Sequence, residues 1–468
     1  VRLDPDRLLP SDPATRAVAR QLYDRVAALP IISPHGHVDP ALLADNDAFP
    51  DPAELLIRRD HYVTRLIHAA GVPLEQLGVP ERASGSVAVG AREVWRSFCE
   101  HWYLFAGTAS GYWLQSGLVE LFGIDSDPSA ENSDQLFDTI QAALATAEFR
   151  PRALFERFRI EVLATTDDPM DDLAAHAALA ADPSFRGRVI PTFRPDAYLH
   201  PLAPGWAERV ARLAEWNATA ASSYAGYIEA LAARRRYFIQ HGAVSADHAM
   251  VRPLSVELPE PDAARLFERG LRGELSDPEA GVFAGHMLLE MARMSVQDGL
   301  VMTLHPGVYR NHSSETFRRF GPDTGHDIPL ASGFVEELRP LLERYGTNPE
   351  FHLVLFTVDE TTFSREIAPL AGFYPSVYIG APWWFLDAPD SILRFRAAVT
   401  ETAGFYRGAG FVDDTRAFLS IPARHDMARR LDSAFLARLV GEGRLELKAA
   451  ERIAVDLVDT LPRKVFKL

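Results

Sequence analysis

The chain has 468 residues, 47% of them hydrophobic, and carries 48 Lys plus Arg against 64 Asp plus Glu, for a net charge of −16. That is enough apolar material for a large core, arranged as one big domain with an insert or as two domains. An acidic chain without a basic cluster is a poor partner for nucleic acid or an anionic membrane, so neither is expected, and an anionic substrate needs its own local arginines. No apolar run reaches the length of a membrane span, and the opening VRLDPDRLLPSDP lacks a signal-peptide core. Cys99 is the single cysteine, which excludes an intrachain disulfide and a thiolate metal cluster. A cytoplasmic enzyme is the expectation.

Residues 11–29 place Val18, Leu22, Val26 and Leu29 at helical spacing behind Ser11-Asp12-Pro13, predicting a helix that leads into the first strand. That strand ends in IISPHGHVDP (31–40). His35 and His37 are one residue apart, so in extended backbone they point to the same face, and Gly36 lets the backbone pass close to whatever sits there. Two imidazoles converging at a strand tip suit a divalent metal such as zinc. Taken alone, the pair reads better as two surface histidines in a turn bounded by Pro34 and Pro40; the rest of the chain reverses that. Residues 41–156 are rich in Trp, Phe, Leu and Ala at helical spacing, as in Trp95, Phe98 and Trp102. They predict an α-helical insert domain, with 1–40 and 157–468 forming the catalytic domain.

Beyond the insert, short apolar and β-branched runs recur, each ending in polar residues. The second predicted strand is 160–165 (IEVLAT), before Thr166-Asp167-Asp168, and the third is 188–193 (RVIPTF), before Arg194-Pro195-Asp196. The fourth is 243–245, before Asp247-His248, and the fifth is 300–304 (LVMTL), before His305. The sixth is 352–357 (HLVLFT), the seventh 376–379, before Trp383-Trp384, and the eighth 410–412, before Asp413-Asp414-Thr415-Arg416. Helices are predicted at 172–181, 216–240, 290–298 and 432–461. Eight strands alternating with helices predict an α/β fold, a (β/α)8 TIM-type barrel with a helical insert after strand one. In such a barrel the strand ends meet in one pocket. An aspartate of the last strand end then joins the two histidines, and three protein ligands with open positions describe a catalytic metal site.

A first-strand His-x-His with a last-strand Asp is the pattern of the amidohydrolase superfamily. Within it the chain resembles the uronate isomerase family nearly end to end. The segments that carry the resemblance are SPHGHVDP, RRDHYVTR, ATTDDP, FRPD, SADH, HPGVYRN, GPDTG, PWWFLDAPD, DDTRAFLS and PARHDMARR. Pro34, Gly36 and Ile421-Pro422-Ala423 depart from the commoner family form. The resemblance implies a distorted barrel of the metal-dependent hydrolase type with a helical insert. It implies reversible aldose–ketose isomerisation of hexuronates, D-glucuronate to D-fructuronate and D-galacturonate to D-tagaturonate. It also implies one divalent metal, usually zinc, on His35, His37 and Asp414. A homo-oligomer is expected.

The reaction moves a proton from C2 to C1, which needs a base near C2 and a relay between O1 and O2. The resemblance points to Asp414, working with the metal, as the base. From the residues alone Asp413 serves as well, and either can cap a helix. Asp413 is assigned no chemistry, and its exchange for asparagine is expected to be mild. Tyr62 is the relay by resemblance, although by spacing alone it is a packed tyrosine of the insert. Arg416 suits the C2 and C3 hydroxyls and the enediolate charge, provided extended backbone keeps it on the face of Asp414. Arg194 offers a carboxylate clamp or an ion pair with Asp196. His61, Arg310, Asn311, Trp383, Trp384, His248 and His305 are further candidates for substrate contact. Packing in the core accounts equally well for the last two histidines and for one tryptophan. Asp167 and Asp168 cap a helix or support the site. The runner-up is a hydrolase of the same superfamily with Asp414 as general base, and a third reading is a barrel that only binds sugar acids. The set Tyr62, Arg194 and Asp414-x-Arg416 favours the isomerase.

Overall fold

The computed structural model describes residues 3–85, 87, 89–218 and 223–468. The first helix, Pro13–Val26, starts as its sequence predicts, with the Asp12 carboxylate accepting the Thr15 N–H. It delivers the chain to β1 (Ile31–Ser33), which pairs in parallel with β2 (Ile160–Ala164), and β2 pairs with β3 (Arg188–Ile190). A second parallel sheet follows. Its members are β4 (Ser245–Met250) and β5 (Val301–Pro306), then β8 (Leu353–Leu355) and β9 (Val377–Ile379). Between β5 and β8 lies a small antiparallel hairpin of β6 (Val308–Tyr309) and β7 (Ile328–Pro329). Single bridges from Phe193 to Asp167 and to Ala246 connect the two sheets, and Ile379 bridges to Gly408. At the other end of this series the His37 N–H donates to the Thr415 carbonyl at 3.0 Å. The fold is α/β, with parallel strands in chain order and helical connections between them. β1, β2, β5, β8 and β9 are short and buried on both faces, which is why they read as largely apolar runs.

Between β1 and β2 the described residues form helices and no strand, among them His61–Ala69, Ala91–Glu100, Ala109–Phe122 and Ser133–Leu144. Their core is continuous with the strands: Trp95, Phe98 and Ile140 share one buried cluster with Ile31, Ile160 and Leu163. The Trp95 indole N–H is satisfied by the Ser133 carbonyl at 2.9 Å, so this large ring is buried with no polar cost.

Several predicted boundaries move, for identifiable reasons. The fourth strand is 245–250 rather than 243–245. Ser-Ala-Asp-His-Ala-Met contains no β-branched residue, and it becomes a strand by pairing along its whole length with β5. The third strand stops at Ile190 because Pro191 has no N–H for the ladder, and pairing resumes only at Phe193. Residues 410–412 form no strand. Gly410 sits at φ +81, and a Cβ there would lie 2.8 Å from the Pro462 side chain, so the backbone turns tightly against the C-terminal helix. The helix predicted at 216–240 is observed as the end of Trp206–Trp216 and as Tyr224–Gln240, while 219–222 lie outside the described residues. The predicted 172–181 is Ala174–Ala181, and 290–298 is the end of the longer helix Asp277–Asp298. The predicted 432–461 divides into Ile421–Gly441 and Leu447–Val455, the latter passing through a π-helical turn into Leu461–Phe466. Among the described residues no helix is long and apolar enough to cross a membrane.

Candidate active site

A cavity of about 740 Å³ opens beyond the C-terminal end of β1, lined by residues from the strand ends, the insert and the β6–β7 segment. His35 and His37 enter from β1, and Asp414 from the loop after Gly410. Asp414 Oδ1 lies 3.2 Å from His35 Nε2 and 3.0 Å from His37 Nε2. His305, at the end of β5, stacks on His35 with centroids 4.7 Å apart. His35, His305 and Asp414 each bring a ligand atom within 4.8 Å of the others. The candidate group His35, His305 and Asp414 thus stands beside the predicted His35, His37 and Asp414, which also come together. His305, expected to meet sugar or core, joins the group, and His37 approaches through the Asp414 oxygen. The register explains this: Asp247 pairs with Thr303, and its Oδ1 takes His305 Nδ1 at 2.6 Å, which leaves Nε2 for the centre.

His305 Nε2 and Asp414 Oδ1 are both buried without a hydrogen-bond partner. An unsatisfied imidazole nitrogen and an unsatisfied carboxylate oxygen, within 4.8 Å of a ligand atom of His35, fit a divalent metal of the zinc type. Burial opposes the charge on Asp414, but His35 and His37 outweigh it and hold the carboxyl well below the usual range. Burial likewise opposes the charge on Asp247, and His305 and His35 outweigh it. Asp414 sits at φ +41, in the left-handed region a non-glycine residue rarely occupies. The extended backbone predicted for Asp414-x-Arg416 is thus replaced by a turn, yet both side chains line the cavity. Gly36 has a packing reason, since a Cβ there would meet Ala164 O and Asp413 Oδ1 at 3.4 Å.

Asp413 points away from the cavity and is buried, with Oδ2 3.0 Å from His425 Nε2. Its exchange is therefore expected to cost stability as well, without entering the chemistry. Tyr62 stands at the cavity wall because Asp60 caps its helix, accepting the Tyr62 N–H at 2.9 Å. The ring stacks on His61 at 4.8 Å and meets Trp113 edge-on at 5.9 Å. Burial pushes the Tyr62 hydroxyl well above its usual pKa. Burial, with the Arg416 charge, brings His61 down to about 4, so it is neutral near pH 7.

Arg194 lines the cavity and pairs with Asp196 at 2.9 Å, the ion pair that was one of its two expected roles. A second nitrogen lies 3.7 Å from Asp247. Arg310 pairs with Asp327 at 2.9 Å and lies over the Trp384 ring at 5.0 Å. Trp383 and Trp384 form a wall, their centroids 5.6 Å apart. Asn311 also lines the cavity, its backbone N–H held by Asp327. Asp167 and Asp168 reach the rim. Asp167 accepts Thr165 and Thr192, burial pushing it up to about 7, and Asp168 accepts the Tyr198 hydroxyl at 2.7 Å. His248 is the clear correction: within β4 it faces opposite to Asp247, away from the cavity, with Nδ1 at 3.2 Å from the Thr303 carbonyl. Asp247 and Asp323 are cavity-side acids given no role by sequence. Period-two alternation would have singled out Asp247 once the strand was placed at 245–250. Asp323, 3.5 Å from Arg416, arrives on a hairpin whose two-residue strands leave no pattern.

A family model described as glucuronate isomerase matches residues 13–464. The chain belongs to the uronate isomerase family. It is an isomerase that interconverts hexuronates. It is 51% identical over 465 residues to the uronate isomerase of Corynebacterium efficiens, covering 99% of this chain and 98% of that one. It superposes on the glucuronate isomerase of Caulobacter crescentus with a TM-score of 0.97 at 48% identity, over 100% of this chain and 97% of that one. The uronate isomerase of Thermotoga maritima, 28% identical, aligns over the full length of both chains with a TM-score of 0.93.

Proposed function

We propose that isomerisation runs in the cavity of Asp414 through a cis-enediol, with this chain's residues dividing the work. An open-chain hexuronate carries an aldehyde at one end and a carboxylate at the other. Arg194 takes the carboxylate in its planar fork. Asp414 accepts the C2 proton, the Tyr62 hydroxyl carries a proton between O1 and O2, and the proton returned to C1 completes the ketose. Arg416 donates to the C2 and C3 hydroxyls and offsets enediolate charge. His61, Arg310, Trp383 and Trp384 close the walls and exclude water. One divalent metal, zinc first among candidates, belongs on His35, His37, His305 and Asp414. When bound it supplies positive charge that orients oxygen donors and lowers the pKa of nearby hydroxyl groups.

The observation that carries this reading is the meeting of Asp414, Tyr62, Arg194 and Arg416 in one cavity although they come from three separate segments. The same reading takes the strands as a distorted (β/α)8 barrel, supported by the His37–Thr415 hydrogen bond. It takes 41–156 as the insert domain that supplies Tyr62, and the whole as a cytoplasmic homo-oligomer. The test is incubation of the metal-loaded protein with C2-deuterated D-glucuronate and D-galacturonate. Ketose that keeps deuterium at C1 is expected. Complete washout would remove the shielded relay, and no ketose alongside hydrolysis of an N-acyl or lactone substrate would replace isomerase by hydrolase.

A further inference from the structure

Arg424 is only 2% exposed, yet its guanidinium touches residues of the insert, of the turn after Trp384 and of the last loop. It lies on the helix Ile421–Gly441, just past the Asp413–Asp414 turn. Nη1 donates to Asp387 Oδ2 at 2.7 Å and reaches the Asp413 carbonyl at 3.5 Å, while Nε donates to Ser420 Oγ at 3.0 Å. The guanidinium lies 3.5 Å from the centroid of Trp113 and 5.5 Å from that of Tyr62. Asp387 in turn ends the short helical turn of Trp384–Leu386. One group therefore ties the turn of the wall tryptophans through Asp387, the last loop through the Asp413 carbonyl, and the insert that carries Tyr62.

A buried Arg–Asp pair is weak evidence for stability, because two charges leave water for one interaction. What this pair does have is geometry. A planar fork spans a carboxylate, a carbonyl and an aromatic face at once, which the point charge of lysine cannot do. We infer that Arg424, held by Asp387, is a positioning residue for the isomerisation, fixing the Tyr62 ring through Trp113 against the Asp413–Asp414 turn. This rests on Tyr62 being the proton relay.

The experiment is a double-mutant cycle on the metal-loaded enzyme with Arg424→Lys, Tyr62→Phe and both, reading kcat, KM and bound metal. Arg424→Lys keeps the charge and loses the fork. It is expected to lower kcat by about tenfold to a hundredfold, as small misplacements of reacting groups do, with KM within about twofold and metal content unchanged. In the double variant the losses should not multiply: it should be within about twofold of the slower single. Multiplied losses, full activity of Arg424→Lys, or a loss explained by metal content or KM would overturn the inference while leaving the relay standing. Full activity of Tyr62→Phe would overturn the relay itself and the inference with it. Asp387→Asn, which keeps the shape, is the second variant should Arg424→Lys not fold, and the same coupling with Tyr62→Phe is expected of it.

Discussion

The molecule has two cavities of the same size, about 740 Å³ each, and only one suits chemistry. The second lies at the other end of β1, around Ile31, and is rich in charge: Arg7, Arg159, Asp426, Arg429 and Arg430 line it. There nearly every donor is spent on the fold. Arg429 donates to the carbonyls of Val26, Ala27, Leu29 and Pro30, and Arg159 to those of Ala27 and Ala28, finishing the first helix and the turn after it. Asp426 accepts from Tyr23, Tyr112, Arg7 and Arg430. In the first cavity His61 Nδ1, His305 Nε2 and Asp414 Oδ1 are buried with no hydrogen-bond partner, and Asp414 and Trp384 hold left-handed backbone. Volume and charge do not separate the two. Nor do unpartnered atoms or left-handed backbone alone, since the second also holds unpartnered Ser116 Oγ and Arg429 Nε and left-handed Arg159. What separates them is that among the described residues only the first brings three histidine and carboxylate ligand atoms together, those of His35, His305 and Asp414 within 4.8 Å of one another.

The sharpest way to break this contrast is to neutralise one carboxylate in each cavity. Asp414→Asn should lower kcat on the order of a thousandfold, since one side chain is both ligand and base. Asp426→Asn should leave kcat within about threefold but cost about 1–3 kcal/mol in denaturant unfolding, the value of its charged hydrogen bonds. A folded but inactive Asp426→Asn enzyme would make the basal cavity functional. Tyr62→Phe comes next, with kcat down about a hundredfold and an unchanged melting temperature, because only the hydroxyl is lost. An unchanged rate would return Tyr62 to packing.

His305→Asn sharpens the assignment of the metal group. Competition with a chelator should show metal affinity lower by about tenfold to a hundredfold, whether the imidazole binds directly or orients its neighbours. Undiminished affinity would restore the set His35, His37 and Asp414 alone. The smallest effect is expected at His248→Gln, with kcat and KM unchanged because the side chain faces away from the cavity. Burial lowers its pKa to about 4 from the 6.5 of an exposed imidazole. Between those pH values the unfolded chain binds more protons, so His248 costs no stability above 6.5 and a growing amount as pH falls to 4. The unfolding free energy of His248→Gln from urea titrations should therefore fall less steeply over that window, by up to about 1.4 kcal/mol per pH unit. An identical slope would show that His248 is not held neutral by burial.

The sequence by itself was sufficient wherever chemistry follows from local geometry. His-x-His at a strand tip and the Asp12 cap of the first helix depend on residues within a few positions of each other, and strands buried on both faces announce themselves as apolar runs. The choice of Asp414 over Asp413 also stood in the sequence, through resemblance, and the turn at φ +41 is what sends the one into the cavity and the other to His425. Tertiary structure decided what depends on partners far along the chain. Ser-Ala-Asp-His-Ala-Met at 245–250, without a β-branched residue, becomes a strand only because β5 offers a ladder, and that register puts Asp247 on His305 and turns His248 outward. The hairpin that brings Asp323 to Arg416 leaves no periodicity to read. Arg424 is one of several arginines in PARHDMARR, and nothing local marks it as the one at the centre. Its partners Asp387 and Trp113 lie 37 and 311 positions away, and only the packed core brings their charge and ring to one guanidinium.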